Sequence, residues 1–284
     1  MTAVATVVLP EAPARALAAA IDGDDVLWAH SFDLNEVAPG RWQVVVYFET
    51  APGKDERAAL ARLAGAAKFA IAALPKTDWV AKSLAGLAPV RAGPFLVHGG
   101  HDRAKVRAND IAIEIEAGMA FGTGHHGTTA GCLIAIDREA KARRIVNALD
   151  VGTGSGVLAI ALAKRAHARV TASDIDPVAV KVARENVRLN GVARLVRTLV
   201  ATGLNHAAIE AGAPYDLIVA NILAGPLVTL APAIARHLAP GGTVILSGLL
   251  IEQQRRVAAA YRGQRLRFVG AIPLSEWATL VLRG

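Results

Sequence analysis

Apolar positions recur along the chain in two different rhythms. Within residues 1–75 they predict three short strands, AVATVVL, VLWAHSFDL and RWQVVVYFE, because these runs alternate or are rich in β-branched residues. Two further segments, Glu11–Ile21 and Asp55–Ala73, carry apolar residues at three-to-four spacing and predict helices. The β-α-β-β-α order indicates a small α+β domain of the ferredoxin-like, split-βαβ kind.

Residues 76–118 are typical of a connector. Pro75, Pro89 and Pro94 interrupt the pattern, and the runs FLVHG and IAIEIEA predict two short strands. We expect a hinge between the flanking parts of the chain near residues 76–95.

From Thr128 to the end, strand and helix patterns alternate. Seven strands are predicted, at RIVNALDV, ARVTASD, LVRTLVA, YDLIVANI, TVILSG, LRFVGAI and WATLVLR. Such alternation predicts an α/β fold with a doubly wound, mostly parallel, Rossmann-like sheet. The chain therefore divides into residues 1–75, a connector at 76–118 and a large domain at 119–284.

Composition narrows the class of protein. Hydrophobic residues make up 53% of the 284, but no apolar run is long enough to span a membrane. The N-terminus carries Pro10, Glu11 and Pro13 and does not resemble a secretory signal. The single cysteine, Cys132, excludes an internal disulfide and a multi-cysteine zinc site and suits a reducing cytoplasm.

The net charge of +7 comes largely from arginines in the second half of the chain. Such a charge is compatible with an acidic partner or RNA. No block of consecutive like charges occurs, which favours solvated helix faces. We therefore expect a monomeric cytoplasmic protein that contacts neither a membrane nor nucleic acid directly.

The strongest local signal is NALDVGTGSGVLAIALAKRA. A buried strand ends at Asp150, and Gly152, Gly154 and Gly156 follow before an alanine-rich helix. Glycines at this turn permit positive φ angles and let a ligand lie against the backbone. The spacing does not fit the G-x-G-x-x-G fingerprint of dinucleotides. An acidic residue before the turn suits a ligand that lacks phosphate and carries an amino-acid cation, such as S-adenosylmethionine.

Polar residues end two more of the predicted strands. Asp174 is placed to accept hydrogen bonds from ribose hydroxyls, with a helix cap as the alternative, and Ile175 beside it offers a wall for an adenine. Asp176 is expected to cap the helix that opens at Pro177. Asn221 follows the fourth strand, where its amide can orient an amine without protonating it.

Taken together, these motifs resemble those of class I S-adenosylmethionine-dependent methyltransferases. The finer resemblance is to the methyltransferases of ribosomal protein L11, the PrmA type, through AFGTGHHGTT, DVGTGSGVLAIA, ASDIDPVAV and ANIL. It covers nearly the whole chain and is weak before about residue 75.

The resemblance implies cofactor contacts at Thr129, Gly152, Asp174 and Asn221, to which Gly154 and Ile175 are added as neighbours. It also implies methylation of lysine side chains and of the N-terminal α-amine of L11, with the N-terminal domain gripping that protein. The chain has His125 where the family usually has threonine, which leaves the chemistry of this loop open.

The loop AFGTGHHGTTAG allows three interpretations. A metal site is disfavoured because His125 and His126 are sequence neighbours and no further ligand set is evident nearby. A phosphate-binding loop is possible here, but the turn at Gly152 is the better candidate for binding a nucleotide. We favour a gate, in which glycines such as Gly122 and Gly124 give mobility and Phe121 closes over the methionine end of the cofactor. His126, or His125, is a candidate to take the proton of the acceptor amine.

Three other functions stay open from the residues alone. The first is a methyltransferase of the same class that acts on another protein lysine or on RNA. The second is a nicotinamide-dependent oxidoreductase, which Asp174 suits but the glycine spacing does not. The third is a binding module without catalysis.

Overall fold

The computed structural model describes residues 3–27, 30, 32–48, 50–73, 89–115 and 126–284. Contacts divide the chain into two compact units, residues 1–77 and 78–284. The predicted hinge, apart from its final residues, and the loop containing Phe121, Gly122, Gly124 and His125 lie outside the described residues.

The N-terminal unit is an α+β sandwich. Its elements are β1 (Ala3–Pro10), α1 (Glu11–Asp22), β2 (Phe32–Ala38), β3 (Arg41–Phe48), α2 (Lys54–Ala64) and β4 (Ala70–Ala73). The four strands form an antiparallel sheet in the order β2-β3-β1-β4. Leu17 and Ile21 of α1 pack with Val44, Val46 and Phe48 of β3 in the core between helices and sheet.

Two predicted elements of this unit are wrong in extent. The helix expected over Asp55–Ala73 ends at Ala64, because Gly65 adopts a φ of +59° and the chain turns away. Residues Ala70–Ala73 pair instead with β1. The strand expected over VLWAHSFDL begins only at Phe32, since the Asp24 carboxylate accepts the N–H groups of Val26 and Leu27, both at 3.0 Å, and holds a turn there.

The second unit begins with three short strands. Its first elements are β5 (Val90–Ala92), β6 (Phe95–His98), a 3-10 helix (Gly100–Lys105) and β7 (Ile111–Glu114). The strands expected at FLVHG and IAIEIEA are thus present, with β5 in addition. Phe95 and Ile113 are buried in the same hydrophobic core as the large sheet, so β5–β7 are part of this unit's packing.

The large sheet follows in strict alternation with helices. The remaining elements are α3 (His126–Ala142), β8 (Asn147–Val151), α4 (Val157–Ala166), β9 (Arg169–Asp174), α5 (Pro177–Leu189), β10 (Val196–Val200), α6 (Ala207–Gly212), β11 (Tyr215–Asn221), α7 (Ala224–His237), β12 (Leu238–Leu250), a 3-10 helix (Ile251–Gln253), α8 (Gln254–Gly263), β13 (Arg267–Leu274) and β14 (Trp277–Arg283). All seven predicted strands are confirmed.

The sheet order is β10-β9-β8-β11-β12-β14-β13. Strand β14 runs antiparallel to the other six strands, which are parallel to one another. Two hydrophobic cores cover its faces, one containing side chains of α3 and α4 and the other containing side chains of α7 and α8. The predicted doubly wound, mostly parallel α/β sheet is confirmed. Among the described residues, no helix is long and apolar enough to cross a membrane.

Helix α3 is fixed to the sheet at its C-terminal end by a partly buried ionic cluster. The Glu139 carboxylate accepts from Arg283 Nη2 at 2.8 and 2.9 Å and from the Thr243 hydroxyl at 2.7 Å. Arg143 donates to the carbonyl of Gly241 at 2.6 Å and to the Thr243 hydroxyl at 3.0 Å. The cluster ties α3 to the first half of β12 and the end of β14, so it sets where the opposite end of α3 lies.

We predict that Glu139→Ala lowers the free energy of unfolding by about 2–3 kcal/mol, because Arg283 and Thr243 lose their shared acceptor in a partly buried site. Urea unfolding of the full chain measures this. Glu252→Ala is the matched control: Glu252 is exposed, and its replacement should change stability by no more than about 0.5 kcal/mol. Equal effects of the two substitutions would contradict the prediction.

Candidate functional site

The centre of the large sheet provides a crevice. Strands β8 and β11 are parallel neighbours, with Val151 opposite Ala220. From this pair the sheet is built outward in opposite directions, through β9 and β10 on one side and β12 on the other. The gap outside the carboxyl ends at such a reversal is where open α/β sheets bind ligands. The residues that follow β8, β9 and β11 therefore meet at one edge.

The turn after β8 is shaped by glycines. Gly152, Gly154 and Gly156 have φ angles of +71°, +53° and +85°, in the region that favours glycine. The N–H groups of Gly152 and Thr153 donate to the carbonyl of Ser173 at 2.8 and 2.9 Å, which ties the turn to β9. The backbone thus curls tightly at the carboxyl edge and keeps side chains out of the space above it.

The acid after β9 contacts this turn directly. Asp174 Oδ2 accepts the N–H of Gly154 at 2.9 Å, and Oδ1 accepts the N–H of Asp176 at 3.1 Å. A carboxylate has about four acceptor positions, so about two remain for a diol. Beside it, Ile175 is an apolar side chain that is 65% exposed. The Asp176 carboxylate accepts the N–H of Val178 at 2.8 Å, which confirms the predicted cap of α5.

A second carboxylate lies beneath the turn. Asp150 is fully buried, and its Oδ2 accepts the Thr153 hydroxyl at 2.6 Å and the N–H of Ala159 at 3.1 Å. Its Oδ1 is buried without a hydrogen-bond partner in the described part of the chain. Burial raises the pKa of the Asp150 carboxyl to about 7, and the charge of Asp174 acts in the same direction. The sequence predicted a buried strand ending at Asp150, and the structure adds that the carboxyl group itself is enclosed, one residue before the strand ends at Val151.

Asn221 ends β11 at the same edge and is partly exposed. Its side-chain amide makes no hydrogen bond to the residues that the structure describes, so its donor and acceptor are both available there. In the chain beyond it, the carbonyl of Leu223 already accepts the N–H of Leu227 at 3.1 Å as α7 begins.

Ile222 connects the two sides of the crevice. A Cβ atom on Gly152 would overlap Cγ2 of Ile222, and a Cβ atom on Gly248 would overlap its backbone carbonyl. Gly248, with a φ of +83°, therefore lets the backbone in the last part of β12 pass directly against Ile222. The N–H of Ile222 donates to the carbonyl of Ser247 at 3.1 Å. The loop after Asn221 is held between the two glycines.

Helix α3 points its N-terminal end toward this edge. A Cβ atom on Gly127 would lie 3.1 Å from Cδ1 of Trp277, which pairs with Leu250 at the carboxyl end of β12. Arg143, beyond the other end of the helix, contacts Gly241 at the start of β12. Thr129 lies in the first turn of α3 and is 9% exposed. The helix begins at His126, slightly earlier than expected.

The structure thus brings together Gly152, Gly154, Asp174, Ile175 and Asn221, and it places Thr129 on the helix directed at the same edge. Phe121 lies outside the described residues, as does the side chain of His126. The metal interpretation finds no support in the described ranges, which hold no group of three or more potential ligands.

The sequence analysis did not identify the residues that pack behind the candidate site. Gly248 and the buried hydroxyl pair Ser247–Thr279, with 2.9 Å between the two oxygens, lie directly behind the site. A glycine inside a buried strand, as in LSGLL, is the signal that marks a close backbone approach.

These features fit S-adenosylmethionine. The glycine turn presents backbone without side chains at the carboxyl edge, Asp174 keeps acceptor positions that ribose hydroxyls can use, and Ile175 presents an uncovered apolar surface that adenine can contact.

Comparison with known proteins agrees with this chemistry. The sequence model of the family described as "Ribosomal protein L11 methyltransferase (PrmA)" matches residues 11–284. A ribosomal protein L11 methyltransferase from Rhizobium etli is 55% identical over 84% of this chain and 83% of its own length. One from Chelativorans sp. is 56% identical over 80% of this chain and 78% of its own.

A solved structure shows the same fold. The crystal structure of a ribosomal protein L11 methylase from Lactobacillus delbrueckii subsp. bulgaricus superposes with a TM-score of 0.62 at 30% sequence identity. The likeness covers 69% of this chain and 98% of that one.

The raised pKa of Asp150 predicts a pH-dependent stability. An acid whose folded-state pKa of about 7 exceeds its ordinary value of about 3.9 binds more protons in the folded state between these limits. Its contribution to stability is therefore lost as the pH rises toward 7. We predict that Asp150→Asn gains stability relative to the unmodified protein as the pH rises from about 5 to about 7.

Urea unfolding of both proteins across this range checks the prediction. The difference in unfolding free energy should grow with pH and level off above about 7.5, at no more than about 1.4 kcal/mol per pH unit. A difference that is constant across the range would show that the Asp150 carboxyl titrates normally.

Proposed function

Because the chain belongs to the family of ribosomal protein L11 methyltransferases, we propose that it transfers methyl groups to lysine side chains and to the N-terminal α-amine of ribosomal protein L11. It is an S-adenosylmethionine-dependent protein methyltransferase that acts on L11. The choice of amines as acceptors is supported by one observation: Asn221 lies on the strand next to the glycine turn, with its amide available.

On the donor side, the residues around the glycine turn bind and orient the cofactor. S-adenosylmethionine supplies a sulfonium methyl group that an amine accepts by in-line displacement. Gly152 and Gly154 let the cofactor lie against the backbone, Asp174 holds the ribose hydroxyls, and Ile175 covers the adenine. Thr129 approaches from the first turn of α3. Such positioning and exclusion of water are what a protein contributes to a displacement of this kind.

On the acceptor side, the Asn221 amide oxygen holds the amine. The carbonyl of Leu223 is already engaged by α7, and that of Ile222 packs against Gly248. The side chain of Asn221 is therefore the main acceptor that this loop offers. An amide accepts from the amine without delivering a proton to it, which leaves the nitrogen lone pair directed at the methyl group.

The two kinds of amine need different help. An α-amino group with a pKa of about 8 is partly neutral near pH 7, whereas lysine at about 10.4 is mostly charged. A lysine substrate must lose its proton in the site, where burial favours the neutral form. We assign this proton to His125 or to His126, the residue at which α3 begins. Asp150 is enclosed and does not reach the acceptor.

The N-terminal unit, which we assign to residues 1–75, binds the substrate protein. Its own hydrophobic core supports this role, because a unit that folds around its own core can present a stable surface. Within the described residues, those that we assign to the cofactor all lie in the second unit, residues 78–284. We therefore assign recognition of L11 to the N-terminal unit. The buried lone cysteine and a ribosomal substrate both support a cytoplasmic location.

Mass spectrometry of large-subunit ribosomal proteins tests the proposal. The proteins come from a strain that lacks the gene and are incubated with the enzyme and S-adenosylmethionine. We expect methyl mass increments on L11 alone, at lysines and at the N-terminus. Increments on another protein would change the substrate, and increments on ribosomal RNA in a parallel digest would change the acceptor class. Stabilisation by NAD instead of S-adenosylhomocysteine in a thermal shift would overturn the enzyme class.

The donor and acceptor roles predict separable defects. Asp174→Asn should raise the dissociation constant of S-adenosylhomocysteine about tenfold or more, because a charged acceptor is lost. Asn221→Ala should lower kcat by a larger factor than that by which it raises the dissociation constant of S-adenosylhomocysteine. Calorimetry and steady-state kinetics with L11 measure the two quantities. Asp176→Asn is the matched control, since asparagine also caps a helix, and it should leave cofactor affinity within about twofold.

The contact of Ile222 with Gly152 predicts a sensitivity to side-chain shape. Ile222→Leu conserves volume but removes the Cγ2 branch, whereas Ile222→Val keeps it. We expect the leucine variant to lower kcat/KM for L11 about tenfold and the valine variant to stay near the unmodified protein. If the valine variant loses activity and the leucine variant does not, volume at this position matters and the branch does not.

A further inference from the structure

A groove lies at the far edge of the large sheet, between α8 and β13. Its volume is about 370 Å³, and it is lined by Gln254, Arg255, Ala258, Arg262, Phe268 and Ala271. Strand β13 is the last strand of the sheet, three strands from β11. At about 4.8 Å per strand, the groove lies about 14 Å from the acceptor loop, so it is separate from the methyl-transfer crevice.

The groove is strongly and locally basic. The segment 254–267 carries five exposed arginines and no acidic residue: Arg255, Arg256, Arg262, Arg265 and Arg267. Among the described residues, none of the five takes part in an ion pair. Mutually repelling charges on a surface are relieved by an anionic partner.

Two of these arginines are placed against the preference of their helix. Arg255 and Arg256 lie in the first turn of α8, which contains no acidic residue, although the 3-10 helix that leads directly into it carries the exposed Glu252. The N-terminal end of a helix carries partial positive charge, so cations there are unfavourable. Stability of α8 therefore does not account for arginine at these positions, whereas contact with an anion would.

The spacing of the two lining arginines indicates an extended anion. Arg255 and Arg262 are seven residues apart, two turns of the helix, and so project from the same face about 10 Å apart along its axis. A single phosphate or carboxylate does not bridge that distance. A chain of regularly spaced negative charges does.

The exposed ring of Phe268 indicates which kind of polyanion the groove fits. Its side chain is 41% exposed and lines the groove between the arginines and the sheet edge. Single-stranded nucleic acids bind where basic side chains follow the phosphates and an aromatic ring stacks on a base. An acidic peptide uses the charges but has no equivalent need for an exposed ring.

We propose that the groove between α8 and β13 binds single-stranded RNA, with Arg255 and Arg262 on phosphates and Phe268 stacked on a base. This departs from the expectation that the chain would not contact nucleic acid directly. The site requires no part of the methyl-transfer machinery and is independent of it.

Fluorescence anisotropy with the full chain tests the proposal, with a labelled single-stranded RNA of about 12 nucleotides as the probe. We expect saturable binding that R255Q/R262Q weakens about tenfold. The slope of log affinity against log salt, from about 50 to about 200 mM, should fall in magnitude by about 1.4, or about 0.7 for each lost phosphate contact. F268A should weaken binding at least about fivefold with the slope unchanged.

The matched control is R188Q/R194Q, which removes the same charge from two exposed arginines remote in sequence. Its affinity should stay within about twofold. An equal loss in this control would show diffuse attraction and overturn the proposal, as would absence of saturable RNA binding. Displacement of the RNA by a glutamate peptide of the same length, with no effect of F268A, would assign the groove to an acidic protein segment instead. Methylation of free L11, measured in parallel, should be unchanged in all three variants.

Discussion

The candidate site depends on the close approach of Ile222 to Gly152, where a Cβ atom on the glycine would overlap the Cγ2 methyl of the isoleucine. In the proposed mechanism, Gly152 belongs to the turn that binds the methyl donor, and Ile222 follows the asparagine that holds the acceptor. A second glycine, Gly248, supports the same isoleucine from behind. The packing of Ile222 between the two glycines therefore couples the position of the turn after β8 to that of the loop after β11.

The pairing of β8 with β11 makes that contact possible. The strands are direct neighbours although three helices and two strands separate them along the chain. Parallel strands present their carboxyl ends at one edge, so each strand delivers one functional group to the same place. The glycine turn, Asp174 and Asn221 come from three different strands, and the fold, not sequence proximity, brings them together.

Stability and chemistry occupy opposite ends of α3. At the amino edge of the sheet, Glu139, Arg143, Arg283 and Thr243 form a partly buried polar cluster that holds the helix. At the carboxyl edge, Gly127 and Gly131 allow the helix to approach the side chains of β14 closely. The polar cluster thus fixes the helix at the end opposite the candidate site, and the first turn of the helix, which contains Thr129, is directed at the crevice.

Much of the sheet and three of its functional positions could be predicted from the sequence, because buried parallel strands appear as continuous apolar runs that end in recognisable polar residues. Gly152, Asp174 and Asn221 each follow such a run. The strand Ala70–Ala73 was missed because alanine favours helices and its strand pairing with β1 is a long-range effect. The burial of Asp150 and the fit of Gly248 to Ile222 depend on neighbours distant in the chain, which local patterns do not reveal.

The burial of Cys132 gives the protein a practical property. Its thiol is fully enclosed on the buried face of α3, and burial raises its pKa well above the usual range, so it remains protonated and shielded from alkylating reagents. Since it is the sole cysteine of the chain, the native protein is chemically silent toward maleimides. Cysteines introduced on the surface of each unit would accept a donor and an acceptor dye without background labelling, which makes this enzyme well suited to single-molecule distance measurements between its two parts.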